Sequence, residues 1–276
     1  MRHNKHSTSP QPGNLINATC MALLGLLIVV LSHQFMLAAL SKSLGYQTNM
    51  VFGKVTSAPF ENQYWSDNRV LVMYAFPPVL YLLLAVAAAL YLHFTRQVTT
   101  FYRLLFWCMV FSLLFISAQL TLAPWASLVG KGPVYQGPAV VANWWGVQSQ
   151  QLFWLTFVSL LLNLLLGFLS FKMVLQLSPS LSAIQKREGQ RMVIRQQFIY
   201  PLLITAVPAL LLAYPATALF FLALFIHALL WLPGLFIKTR PGFRYKGTIT
   251  KSPPVELSYT LIVVLVVAVV LIRIFM

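Results

Sequence analysis

Cys20-Met21-Ala22-Leu23-Leu24-Gly25-Leu26-Leu27-Ile28-Val29-Val30-Leu31-Ser32-His33-Gln34-Phe35-Met36-Leu37-Ala38-Ala39-Leu40-Ser41 runs without a single formal charge. At 1.5 Å per residue a helix of this length crosses a hydrocarbon core of about 30 Å. Similar runs recur at about 70–93, 101–122, 150–171, 198–213, 216–237 and 257–275. The expected fold is therefore all-α, a polytopic transmembrane helix bundle of about seven spans forming one integral membrane domain over 1–276. Six spans is the alternative count, because the fifth run is short and only Tyr214 and Pro215 separate it from the sixth. Composition agrees: 59% of the chain is apolar and 8% charged, against about a quarter charged in soluble domains.

The first run follows Arg2 and Lys5, the charged front of a secretory signal, but its apolar core is too long for one and reads as a retained first span. Cys20 and Cys108 lie in or beside different runs and imply no disulfide framework. Asn17-Ala18-Thr19 fits the glycosylation pattern but falls on the side assigned below to the cytoplasm.

Nineteen Lys and Arg face four Asp and Glu, and they collect between the runs in alternating doses. The tail 1–19, the 94–100 segment with Arg103, and the segments 172–197 and 238–256 carry fourteen of them; the alternate set carries five. The positive-inside rule places the larger set in the cytoplasm, so the N-terminus is expected inside and, with seven spans, the C-terminus outside. A bacterial inner membrane is the expected setting.

Ser178-Pro179 pairs a capping residue with a proline at the first helical position. Lys186, Arg187, Arg191 and Arg195 follow, with Leu181, Ile184, Met192 and Ile194 between them. The reading is a basic amphipathic helix over 178–197 lying on anionic lipid headgroups. The 238–256 segment, with Pro241, Gly242 and Gly247, reads as a basic cytoplasmic loop. Topology accounts for this charge, so no nucleic-acid partner is expected; the partners are the bilayer, its anionic headgroups and other membrane subunits. Trp125, Tyr135, Trp144 and Trp145 in 123–149 read as an interfacial aromatic belt.

Polar residues inside the spans are few: His33, Gln34, Gln119, Asn163 and His227. Gln119 and Asn163 suit hydrogen bonds between helices. His33 and His227 are the weak candidates for a shared haem or metal, since neutral imidazole is a common ligand. No carboxylate accompanies them: Glu61, Asp67, Glu188 and Glu256 all lie in loops. No cofactor or metal is therefore expected, and His33 is expected to face the bundle interior and bond across to Asn163. Pro77, Pro78 and Pro208 fall inside runs, where a missing donor kinks a helix.

Val30-Leu31-Ser32-His33-Gln34-Phe35-Met36-Leu37, followed by Leu44-Gly45-Tyr46 and Val51-Phe52-Gly53-Lys54-Val55, resembles the opening of the site-2 protease family of intramembrane zinc metalloproteases. Ala75-Phe76-Pro77-Pro78-Val79 is similar to the opening of that family's next helix, and Leu162-Asn163-Leu164-Leu165 to its Asn-rich segment. In that family a His-Glu-x-x-His motif and a later Asp bind zinc while the Glu acts as base. Here His33 matches the first His, Gln34 replaces the Glu, Leu37 replaces the second His, and no Asp follows Asn163. The resemblance thus implies a pseudoprotease: a neutral amide cannot accept the proton of a zinc-bound water, and one imidazole cannot hold the ion.

The expected function is that of a non-catalytic scaffold or subunit of a membrane complex. The alternatives are a transporter or small-ligand carrier with a cavity at the Pro-kinked helices, and a haem- or quinone-binding redox subunit. The charge distribution sets a test of orientation. Single cysteines placed at Lys186 and Lys246 are expected to resist membrane-impermeant thiol reagents in intact cells; labelling of either from outside overturns the assignment.

Overall fold

The computed structural model describes residues 12–59, 64–95, 98–129, 136–178, 184–240 and 259–275. It is an all-α bundle of an integral membrane protein, with helices α1 (Pro12–Ser43), α2 (Asp67–Phe94), α3 (Thr100–Val129), α4 (Pro138–Trp144), α5 (Ser149–Gln176), α6 (Arg187–Ala213), α7 (Ala218–Ile237) and α8 (Tyr259–Phe275). One antiparallel hairpin, β1 (Tyr46–Val51) and β2 (Lys54–Pro59), follows α1.

Among the described residues six helices, α1, α2, α3, α5, α6 and α7, are long and apolar enough to cross a bilayer. The seventh apolar run forms α8, whose 17 residues extend about 26 Å, and which packs on α1 and α6. The fifth run looked short because its helix begins earlier. The basic stretch assigned to a separate helix over 178–197 instead becomes, from Arg187 onward, the first turns of α6, continuous with the apolar part. These turns are two-faced: Arg187, Arg191 and Arg195 are exposed, while Gln190, Val193, Ile194 and Phe198 are buried. Of the 238–256 segment only Lys238, Thr239 and Arg240 are described, so Lys246 lies outside the described residues, as do Leu181, Tyr135 and residues 1–11 of the N-terminal tail.

Proline shapes the helices by local widening. A single π-turn, Leu71–Ala75, stands directly before Pro77 and Pro78, and a second, Arg195–Ile199, before Pro201. A proline ring crowds the carbonyl four residues back and offers it no N–H, and an i→i+5 turn moves that carbonyl aside. In α7 the helix breaks at Leu230, three residues before Pro233. Pro208, by contrast, sits within an unbroken helical assignment in α6.

The core lies where α3, α6 and α7 meet. Trp107 of α3 stacks on Phe198 of α6 with centroids 5.8 Å apart and planes at 8°, and Phe198 stacks in turn on Trp231 of α7 at 5.9 Å and 15°. Phe111 extends the stack beneath Trp107 at 5.6 Å, and Phe106 meets Trp107 edge-on at 5.5 Å. All five rings are buried. Lipid tails are as apolar as these side chains, so what association gains here is dispersion and ring geometry, about 0.5–1.5 kcal/mol per aromatic pair.

Glycine lets the backbones come close enough for that stack. Gly25 of α1 lies on Trp107, where a Cβ would approach the Trp107 Cβ at 2.8 Å. Gly167 of α5 and Gly234 of α7 face each other's main chains: a Cβ on Gly167 would fall 2.7 Å from the Trp231 carbonyl carbon, and one on Gly234 would fall 2.6 Å from the Leu164 carbonyl oxygen. This is the small-residue contact of membrane helices. Gly234→Ala is therefore expected to lower stability by about 1–3 kcal/mol, as overpacking does. Leu83→Ala, on the exposed face of α2, is expected to stay within about 0.5 kcal/mol. Thermal unfolding in detergent micelles compares the two.

Candidate functional site

Of the two polar residues singled out in α1, Gln34 meets the hairpin. Gln34 lies nine residues before the end of α1, about 14 Å along the helix. Each hairpin strand has six residues and covers about 20 Å, so the hairpin folds back along α1 and brings its two-residue turn, Phe52-Gly53, to Gln34. The buried Gln34 amide donates its Nε2 hydrogens to the carbonyls of Val51 (2.5 Å) and Lys54 (3.4 Å), the residues on either side of that turn. From the other side, the Thr217 hydroxyl at the start of α7 donates to the Phe52 carbonyl, and the Phe52 ring stacks on Phe221 at 5.2 Å and 13°.

Gly53 completes the turn with φ +84°, a left-handed conformation that side chains resist, and a Cβ there would meet the Phe221 ring at 2.6 Å. Burial beside the turn holds the Lys54 ammonium below the usual lysine range. The site thus uses Gln34 as a clamp on a strand turn, a role for its two donors that a carboxylate could not perform.

His33 is buried, as expected, but its surroundings are aromatic. Its ring lies 4.7 Å from that of Phe115 and edge-on to Tyr81 at 5.6 Å; Phe115 in turn meets Phe220 edge-on at 4.9 Å. The neighbouring Ser32 hydroxyl shares a hydrogen bond with Tyr81 Oη at 2.5 Å, joining α1 to α2. The expected bond from His33 to Asn163 does not form. The Asn163 Oδ1 accepts from Trp231 Nε1 at 2.8 Å, and its Nδ2 donates to the Ser159 carbonyl at 2.7 Å. Both ends of the amide are thereby engaged between α5 and α7.

His227 has a different setting. Its Nδ1 lies 2.7 Å from the Ala223 carbonyl, which can only accept, so Nδ1 carries the proton; Nε2 then takes the Thr121 hydroxyl at 2.7 Å. Nε2 ties α7 to α3 while Nδ1 bonds within α7, and the structure gives His33 and His227 no shared neighbour among these contacts. No group of three or more His, Cys, Asp or Glu placed to hold a metal ion occurs among the described residues.

Gln119 occupies a second polar locus. Its buried amide lies under Gly137, where a Cβ would stand 2.7 Å from Oε1, and next to Gly137 along the chain is the buried Gln136; neither amide has a hydrogen-bond partner among the described residues. Sequence reading missed Gln136 because it stands in a loop, and missed Thr217 because it follows a proline turn. It missed Gln190 because that residue sits among charges. At the same end as Gln136, Trp125, Trp144 and Trp145 of the expected belt are exposed, and Trp144 Nε1 donates to Asp67 at 2.7 Å.

No protein-family model, curated protein or solved structure matches the chain. The contacts themselves separate the two adjacent polar residues of α1. Gln34→Leu is expected to cost about 0.6–2 kcal/mol and to release the hairpin, read as faster proteolytic nicking within 46–59. His33→Phe, which keeps a flat ring among rings, is expected to leave both stability and nicking near wild type.

Proposed function

We propose that this chain is a non-catalytic scaffold or subunit of a membrane complex, with a pseudoprotease-like first half, residing in a bacterial inner membrane with its N-terminus in the cytoplasm. The observation that carries the reading is the use made of Gln34. At the position where the resemblance calls for a general base stands a neutral amide, and both its hydrogens are directed at backbone carbonyls of the hairpin turn. His33, at the place of the first metal ligand, is packed between aromatic rings. A long first helix, a hairpin folded along it, and a Pro77-Pro78 second span give the resemblance its structural setting.

The outward faces suit a subunit. The spans of α2 and α5 are the least buried of the six, and both present large apolar side chains: Leu83, Leu84 and Leu90 on α2, Trp154, Phe157 and Leu161 on α5. Such faces accept either lipid or the helix of another protein. Purification from native membranes in mild detergent is expected to yield a stoichiometric protein partner, no bound zinc and no peptide hydrolysis. Stoichiometric zinc that is lost in His33→Ala, together with peptidase activity, overturns the proposal.

A further inference from the structure

Between residues 172 and 240 the chain carries Lys172, Lys186, Arg187, Arg191, Arg195, Lys238 and Arg240 against a single acid, Glu188. The fold brings part of this charge together by an uncharged device. Gln190, fully buried on the first turns of α6, accepts the Arg240 backbone N–H at its Oε1 (3.0 Å). Its Nε2 donates to the Arg240 carbonyl (2.9 Å) and to the Ile184 carbonyl (2.7 Å). One side-chain amide thus grips both polar groups of a single residue, fixing Arg240 against α6 just after α7 ends.

On a helix of 3.6 residues per turn, Arg187 and Arg191 lie about 60° and 100° round from Gln190. Both are exposed, and so is Arg240. Lys238 is drawn the other way, its ammonium 3.5 Å above the Phe168 ring of α5. Burial, and after it the charge of Arg240, holds that ammonium below the usual lysine range. Assembling like charges is unfavourable unless an anion joins them.

We infer that Arg187, Arg191 and Arg240, gathered by Gln190, bind the phosphate of an anionic phospholipid. The choice of lipid over a soluble anion comes from the residue at the edge of the cluster. Ile237, immediately before Lys238, is 76% exposed, so an apolar side chain stands beside the charges. An apolar surface meeting a cationic one matches the junction of acyl chain and headgroup, where each basic residue contributes roughly 1 kcal/mol toward an anionic leaflet. The site stands independently of the scaffold reading.

Native mass spectrometry of the full chain, released from micelles holding equal phosphatidylglycerol and phosphatidylcholine, tests it. Wild type is expected to retain phosphatidylglycerol in preference, and Arg191→Gln with Arg240→Gln to lower that preference on the order of tenfold. Both substituted side chains are exposed, so the fold is expected to survive, as a thermal melt confirms. Gln190→Ala is expected to weaken the preference with all charges intact. Equal retention of the two lipids by wild type defeats the inference, and so does an equal loss on neutralising Lys172 and Arg195, which makes the effect diffuse charge. Displacement of the lipid by millimolar inorganic phosphate reassigns the site to a free anion and overturns the lipid.

Discussion

Trp231 ties α7 to α5 and α6 and, through Phe198, to α3. Its ring closes the stack that runs through Phe198 to Trp107, its indole N–H is held by Asn163, and its main chain lies against Gly167. In a bilayer no water competes for the indole hydrogen, and no hydrophobic gain distinguishes a ring in the core from a ring in lipid. What fixes the helices is therefore close contact together with one satisfied donor. The glycines at 25, 167 and 234 are the conditions for that contact, since a methyl group at any of them would hold the backbones apart.

The same constraint explains what the polar residues do. Asn163, His227, Ser32 and Gln34 each join one helix to another helix or to the hairpin, or brace such a contact, and each has a protein partner within hydrogen-bond distance. Here these side chains satisfy neighbouring donors and acceptors, among them the Trp231 indole N–H, the Thr121 hydroxyl and the Val51 carbonyl. Among the described residues both ends of the Gln119 and Gln136 amides, beside α4, are buried without partners, as are the Gln34 Oε1 and the hydroxyls of Ser41, Ser57 and Thr205.

The architecture was legible because its signal is collective. A missing charge over twenty residues cannot be cancelled by local context, and the runs of the sequence correspond to α1, α2, α3, α5, α6, α7 and the shorter α8. Boundaries were less legible where two signals overlapped: the arginines at 187, 191 and 195 marked a polar segment, yet the buried face made by Gln190, Val193, Ile194 and Phe198 carries the same helix on into the apolar run. Individual partners were not legible at all. Asn163 was matched to His33 on depth and chemistry, but Trp231 reaches it, and which of two buried donors wins an acceptor depends on helix rotation that no single run encodes. Nothing local to residues 46–59 reveals that Thr217 meets the hairpin turn.

That last contact bears on how the protein is made. The Phe52 carbonyl and the Thr217 hydroxyl are 165 positions apart in the chain. At about 5–20 residues per second of synthesis, on the order of ten to thirty seconds separate the appearance of the two groups. Throughout that interval the hairpin has Gln34 on one side and no α7 on the other. The turn then closes only when the sixth long helix arrives, so the docking of Phe52 on Phe221 marks a late event in biogenesis, and a chain interrupted before Thr217 retains a hairpin whose turn is held from the Gln34 side only.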